Sequence, residues 1–122
     1  MSKKILVVDD EVQLTEMVKI RLEAAGYAVS CAYDGIEGME KAKKEKPDLI
    51  ILDIMLPKMD GYKVCGLLKN DTRYAKIPIM MFTAKAQDED LGLAGQLGAS
   101  AYITKPFDPK TLIARIKELI GS

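Results

Sequence analysis

The sequence predicts an α/β domain in which a doubly wound, five-stranded parallel sheet is covered by five helices. Five short apolar runs alternate with segments whose apolar residues recur at helical spacing along the 122 residues. Most of the apolar runs are continuous, which is typical of strands buried on both faces. Regular alternation of the two segment types favours a parallel sheet with right-handed crossovers.

Each predicted element has local support in the sequence. We predict strands at residues 5–9, 27–32, 48–53, 78–83 and 101–104, and helices at residues 12–25, 34–46, 62–69, 88–97 and 109–120. Gly26 suits a left-handed helix end, and Asp108 followed by Pro109 is a typical helix start. The apolar residues of the second helix that we expect to face inward are Ile36, Met39 and Ala42.

Composition limits the possible functions. A chain of this length suits one domain, predicted over residues 1–122. Lys plus Arg equals Asp plus Glu at 18 each, so the basic excess of a nucleic-acid binder is missing. No apolar stretch approaches the roughly 20 residues that span a bilayer, and the N-terminus lacks a signal-peptide layout. We therefore expect a cytoplasmic protein without direct contacts to nucleic acid or membrane.

Two residue types narrow the chemistry further. Cys31 and Cys65 are far apart in sequence and are expected to be unrelated reduced thiols. The chain contains no histidine, so it cannot itself supply a histidine base, a histidine ligand or a phosphorylated histidine.

Polar side chains stand where four of the predicted strands end. Asp9 and Asp10 follow the first strand, Asp53 ends the third, Thr83 ends the fourth and Lys105 follows the fifth. Because ligands of open parallel sheets bind beyond the carboxyl ends of the strands, we expect these groups to converge. Three carboxylates that lie close together repel each other unless a cation joins them.

The expected pocket suits a phosphoryl group. Carboxylate oxygens, with the backbone carbonyl of Met55, are ligands for Mg²⁺ or Mn²⁺. A cation, the Lys105 ammonium and the Thr83 hydroxyl around one carboxylate would neutralise phosphoryl oxygens. Asp53 is the predicted phosphoryl acceptor, and the two acids after the first strand would hold the metal.

Other functions fit the residues less well. Each of these side chains taken singly is an ordinary turn or strand-end residue. A phosphatase with an aspartate nucleophile would carry its general acid two residues after Asp53, where Met55 stands. An FMN-binding domain would need a phosphate loop after the first strand, where residues 9–11 are acidic. A dimerisation module with a degenerate pocket would not need the complete set of acids, Thr83 and Lys105.

The pocket residues lie in four motifs: VVDDE at 7–11, LDIMLPKMDG at 52–61, FTAK at 82–85 and YITKPF at 102–107. In order and spacing these motifs resemble the receiver domain of two-component response regulators, of the chemotaxis CheY type, over essentially the whole chain. The resemblance implies a flavodoxin-like fold with strand order 2-1-3-4-5. It also implies a switch that catalyses only its own phosphorylation and dephosphorylation.

The resemblance assigns a role to each pocket residue. Asp53 would accept a phosphoryl group from a sensor histidine kinase or phosphotransfer protein. Mg²⁺, with Mn²⁺ as a substitute, would be bound by Asp10, Asp53 and the Met55 carbonyl, and by Asp9 directly or through water. Lys105 would pair with the phosphate.

The remaining implied roles concern the switch. Thr83 would hydrogen-bond the phosphoryl group, Ala84 would leave room for it, and Tyr102 would turn inward. The Lys105–Pro106 peptide would be cis. Lys85 would either cover the attacking water or extend into solvent.

Two surfaces follow from the same resemblance. The kinase would dock on the first helix near Gln13, Leu14 and Met17, with the loop at 106–109. A downstream protein would bind the surface formed by the fourth helix, fifth strand and fifth helix, around Leu91, Ala101, Tyr102 and Lys117.

The chain would be a monomer or a weak phosphorylation-dependent dimer. Met1 and the completed last helix favour a stand-alone regulator, and the alternative is a receiver from a larger response regulator or hybrid kinase.

Gly92 and Gly95 lie inside the fourth helix, and each costs about 1 kcal/mol of helix stability relative to Ala. That helix is therefore predicted to be the least stable, unless the glycines serve close packing on the sheet.

Overall fold

The computed structural model describes residues 2–83 and 98–121. Its five strands form one parallel sheet in the order β2-β1-β3-β4-β5. The strands are β1 (Lys4–Val8), β2 (Ala28–Ala32), β3 (Leu49–Asp53), β4 (Ile79–Thr83) and β5 (Ala101–Thr104). The helices of the described residues are α1 (Val12–Ala24), α2 (Gly35–Glu45), α3 (Gly61–Lys69) and α4 (Pro109–Ile120).

The predicted fold class and strand order are confirmed. Each observed strand begins and ends within one residue of its predicted range. Four of the five predicted helices are present, and the predicted helix at 88–97, with Gly92 and Gly95, lies outside the described residues. Gly26 ends the first helix region with φ +101°, as its predicted role requires.

Two apolar cores lie on opposite faces of the sheet. One is formed with α1 and α4 and contains Val7, Leu22, Phe82 and Ile116 among others. The other is formed with α2 and α3 and contains Leu6, Leu52 and Leu68 among others. Every residue of β3 and β4 is buried, which agrees with their continuous apolar sequences. The sheet is therefore a rigid base for the groups at its carboxyl edge.

The predicted inward face of the second helix is partly wrong. Ile36 is 44% exposed, whereas Gly35, Gly38 and Ala42 are buried and Met39 is partly buried. Asp34 precedes the helix as its N-cap, and its side chain accepts a hydrogen bond from the Glu37 N–H. Small residues face the sheet because α2 packs close to it: a Cβ on Gly38 would lie 2.9 Å from Cγ1 of Val8.

The amino edge of the sheet holds the end of the last helix. The Tyr27 hydroxyl, on a side chain that is 4% exposed, donates to the Gly121 carbonyl over 2.7 Å. The Lys3 ammonium donates to the carbonyl of Ile120. These contacts tie residues before β1 and β2 to the end of α4.

The cysteines and the lengths of the helices were also subjects of the sequence analysis. Cys31 and Cys65 are both free, the first partly buried and the second buried. None of the helices in the described part of the chain combines the length and apolar character that a membrane crossing requires.

Candidate functional site: an acidic pocket at the carboxyl edge

The acidic pocket lies beyond the carboxyl ends of β1 and β3. Val8 pairs with Leu52 across the two strands, so the residues that follow them, Asp9 and Asp53, are neighbours. One carboxylate oxygen from each of Asp9, Asp10 and Asp53 lies within 4.8 Å of the others. Asp9 and Asp53 are buried, and Asp10 is exposed at the mouth. The structure thus brings together the three acids that the sequence predicts.

Lys105 joins the pocket from the other side. Its Nζ lies 2.7 Å from Oδ2 of Asp9 and 3.4 Å from Oδ2 of Asp53. The Lys105 N–H donates to the Thr83 carbonyl over 2.7 Å, which extends the pairing of β4 and β5 by one residue. The Lys105–Pro106 peptide is cis, as expected. The ammonium also lies 5.8 Å from the centre of the Phe82 ring.

The turn after β1 fixes Asp9. Its Oδ1 accepts a hydrogen bond from the Glu11 N–H at 2.9 Å, and its backbone carbonyl accepts one from the Thr15 hydroxyl. Since Asp9 has no exposed surface, the Glu11 N–H and the Lys105 ammonium supply hydrogen bonds to its carboxylate in place of water.

Glu11 and Thr15 are pocket residues that the sequence analysis did not single out. The Glu11 carboxylate lies 3.3 Å from the Lys105 ammonium, and the Thr15 hydroxyl shares its proton between the Asp9 carbonyl and the closer Glu11 carbonyl at 2.8 Å. Glu11 belongs to the VVDDE motif, so its position directly after the two aspartates was an available signal. Thr15 interrupts the apolar spacing of α1 on its buried face.

Burial and charge shift the pKa values of two pocket groups. Burial, with the nearby Asp9 charge, raises the pKa of Asp53 to about 6, although Lys105 and the Met55 N–H oppose this shift. Burial opposes the charged form of Lys105, but its hydrogen bond to Asp9 and the charges of Asp53 and Asp9 leave its pKa above the usual value. The pocket therefore holds more negative charge than one ammonium balances well.

The donor set fits a hard divalent cation such as Mg²⁺. Three carboxylate oxygens lie within reach of one ion, and exposed Asp10 and Met55 leave the mouth open to waters. The Met55 N–H donates to Oδ1 of Asp53 at 3.3 Å, so the residue whose carbonyl was expected to bind metal lies directly beside the pocket.

Of the residues expected to form the switch, Thr83 ends β4 and Tyr102 lies within β5, paired with Met81. Thr83 is 5% exposed at the end of β4, and Tyr102 is 37% exposed on β5. Ala84, Lys85 and Leu91 lie outside the described residues.

The fold and the pocket define a class of protein: a doubly wound domain with an acidic cluster and a lysine at the carboxyl edge of its sheet. A sequence profile of the response regulator receiver domain matches residues 5–117. The chain belongs to this family, the receiver domains of two-component response regulators.

Curated relatives are longer than this chain. The chain is 48% identical over 120 residues to the alkaline phosphatase synthesis transcriptional regulatory protein PhoP of Bacillus subtilis, covering 98% of this chain and 49% of that protein. It is 46% identical over 117 residues to the DNA-binding dual master transcriptional regulator RpaA of Synechocystis, covering 96% and 48%. The chain thus spans about half the length of the curated relatives it matches.

Solved structures agree in fold over nearly the whole chain. The chemotaxis response regulator CheY4 of Vibrio cholerae is 34% identical with a TM-score of 0.92, covering 98% of this chain and 99% of that one. The receiver domain of the sensor histidine kinase PA1611 from Pseudomonas aeruginosa is 30% identical with a TM-score of 0.91, covering 100% of both. That structure has a magnesium ion coordinated in its active site cleft.

Proposed function

We propose that Asp53 accepts a phosphoryl group from a phosphorylated histidine of a sensor kinase or phosphotransfer protein, and that this controls binding of a downstream protein. The observation that carries the proposal is the position of Asp53. Its buried carboxylate ends β3, within 3.4 Å of the Lys105 ammonium and in one cluster with Asp9 and Asp10. Family membership supports the same reading.

The transfer balances without a further reactant. A carboxylate oxygen of Asp53 bonds to phosphorus while the phosphorus–nitrogen bond of the donor breaks. The electron pair of that bond stays on the imidazole of the partner, which leaves as the neutral ring because its other nitrogen already carries a proton. Because Lys105 already lies against Asp53, its ammonium is in place to neutralise a phosphoryl oxygen. The only reactions that we propose for this domain itself are its own phosphorylation and dephosphorylation.

We propose that Asp10, Asp53 and the Met55 carbonyl hold Mg²⁺, with Asp9 contributing directly or through water. The chemistry that the ion supplies is neutralisation of charge on the acids and on the phosphoryl oxygens. Mn²⁺ accepts the same oxygen ligands and would substitute.

A groove beside the pocket supports the expected docking surface for the phosphoryl donor. Its volume is about 500 Å³, and its lining is formed by Glu11, Leu14, Met17, Lys105, Pro106 and Phe107. Leu14 and Met17 were expected at this surface, and Lys105 connects the groove to Asp53. The groove therefore lies next to the proposed acceptor, on the side of Lys105.

The proposed output surface lies around β5 and α4. Thr83 would hydrogen-bond the phosphoryl group, and Tyr102, partly exposed before phosphorylation, would turn inward. Ala101 and Lys117 would then belong to a changed protein-binding surface or a weak dimer contact. The equal numbers of acidic and basic residues, 18 each, favour a protein over nucleic acid as the direct partner.

Intact mass spectrometry tests the acceptor. The chain is incubated with acetyl phosphate and MgCl₂, with and without EDTA. We expect one added phosphoryl group in Mg²⁺, none in EDTA and none in Asp53→Asn. The matched control is Asp48→Asn, the same change at the opposite end of β3, which should be phosphorylated as the wild type is. Phosphorylation that survives Asp53→Asn would contradict the proposal.

A further inference from the structure

The loop after β3 carries the proposed metal-binding carbonyl of Met55. At its base the Gly61 N–H donates to the Ile54 carbonyl at 2.9 Å, and the Ile54 N–H donates to the Phe82 carbonyl. The direction of the Met55 carbonyl therefore depends on the path that residues 55–60 take between these fixed points.

The N-terminus of α2 touches the outer part of this loop. The Gly35 N–H donates to the Pro57 carbonyl at 3.2 Å. The Lys58 ammonium lies 3.5 Å from Oδ2 of Asp34, the N-cap of α2. The loop is thus held from a second element that carries none of the proposed metal ligands.

Gly35 is the point of closest approach. A Cβ at this position would lie 1.8 Å from the backbone oxygen of Met59 and 2.7 Å from its carbonyl carbon. Gly35 does not have a positive φ, so its backbone conformation does not require glycine. The glycine is needed because there is no room for a side chain. Any larger residue here must displace either the loop backbone or the helix.

The helix end is the more firmly held of the two. The Glu37 N–H donates to Oδ1 of Asp34 at 2.8 Å, and the Glu37 side chain accepts from the Tyr33 N–H at 2.7 Å. The first contact is an N-cap hydrogen bond and the second holds the residue before the N-cap, so two backbone donors are satisfied at the start of the helix. An added Cβ on Gly35 would therefore move the loop.

We infer that the N-terminus of α2, through the close contact of Gly35 with Met59 and the Asp34–Lys58 pair, positions the loop that presents the Met55 carbonyl to Mg²⁺. The inference rests on the proposed cation site. Gly35 is a positioning residue, since it reaches the metal only through the loop. Mg²⁺ demands near-ideal octahedral geometry with short ligand distances, so displacement of the carbonyl weakens its binding.

Titration of the full chain with MgCl₂, followed by two-dimensional NMR of the backbone amides, tests the inference without any phosphodonor. We expect Gly35→Ala to weaken Mg²⁺ binding by about tenfold or more, the usual effect of losing support for a metal ligand. Unchanged affinity in folded Gly35→Ala would overturn the inference. Wild-type chain that shows no Mg²⁺ binding would instead overturn the proposed cation site.

Gly38→Ala is the matched control for lost stability. It adds the same methyl group one turn along the same helix, where the nearest atoms belong to the Val8 side chain and not to the loop. We expect lower stability in urea but Mg²⁺ affinity within about twofold of the wild type. If affinity fell equally in both glycine variants, general destabilisation would explain the loss and the inference would be wrong.

Lys58→Met serves as a second variant should Gly35→Ala fail to fold. Removal of a positive charge near an acidic pocket would by itself strengthen Mg²⁺ binding. Loss of the ion pair with Asp34 should weaken Mg²⁺ binding, but only by about twofold, because the pair is largely exposed to solvent. Weaker binding cannot come from the lost charge and so supports the positioning role, whereas binding tighter than that of the wild type contradicts it.

Discussion

Single side chains in the pocket are arranged for chemistry at the expense of stability. Asp9 has no exposed surface and Asp53 only 5%, yet both are acids near one ammonium. Burial and Asp9 raise the pKa of Asp53 to about 6, so the folded protein holds its ionised carboxylate unfavourably. A divalent cation would offset this repulsion.

The same argument predicts that Asp53→Asn stabilises the metal-free protein. In EDTA at neutral pH, we expect an increase of about 1–2 kcal/mol in the free energy of unfolding, because a buried charge is removed while the amide oxygen can still accept from Met55. Urea unfolding measures it. Asp48→Asn, on an exposed acid, should change little. A clear loss of stability in Asp53→Asn would show that the Lys105 contact outweighs the repulsion.

The strands could be predicted from the sequence, but the close packing of one element against another could not. Buried strands show as continuous apolar runs, and acids at their ends must meet at one edge in a parallel sheet. Ile36 was placed inward because it has helical spacing, but the face of α2 that packs on the sheet begins with glycines. The role of Gly35 depends on the carbonyl of Met59, 24 positions away, which no local pattern reveals.

The end of α2 shows a local conflict that can be tested. Lys46 is the C-cap with φ 47° and ψ 64°, a left-handed conformation that costs a residue with a Cβ about 1 kcal/mol. Lys46→Gly should therefore stabilise the protein by about 0.5 kcal/mol after the greater freedom of glycine in the unfolded chain is subtracted. Lys44→Gly, inside the same helix, should destabilise it by about 1 kcal/mol. Equal signs for the two variants in urea unfolding would refute the assignment of strain to Lys46.

At the scale of the whole molecule, chain order and sheet order differ. The chain reverses its direction of winding after β2, so β1 and β3 are neighbours and the acids lie at this switch point. Alternation of elements does not determine this order, which came from the resemblance in the four motifs. Lys105 is 96 positions from Asp9 in the chain. It reaches the pocket because β5 lies in the same sheet beside β4, with its carboxyl end at the same edge.

Contacts at the opposite edge hold the two ends of the described chain together. Tyr27→Phe removes a hydroxyl whose acceptor, the Gly121 carbonyl, is 94 positions away. We expect a loss of about 1 kcal/mol in the free energy of unfolding. The control is Tyr102→Phe on a ring that is 37% exposed, which should leave stability unchanged. If both variants lost the same free energy of unfolding, the loss would come from removing any tyrosine hydroxyl and not from the contact with Gly121.

These terminal contacts also place residues near both ends of the described chain on the side of the sheet away from the pocket. Lys3 touches Ile120, and Tyr27 touches Gly121, on the edge of the sheet away from Asp53. A covalent bridge can therefore be designed between residues 2 and 121, with new ends opened at the exposed residues 72–73. Such a circular permutant would carry the same five strands in the same spatial order. If a reporter domain replaced the bridge between the old ends, it would lie on the side of the sheet away from the proposed phosphoryl acceptor.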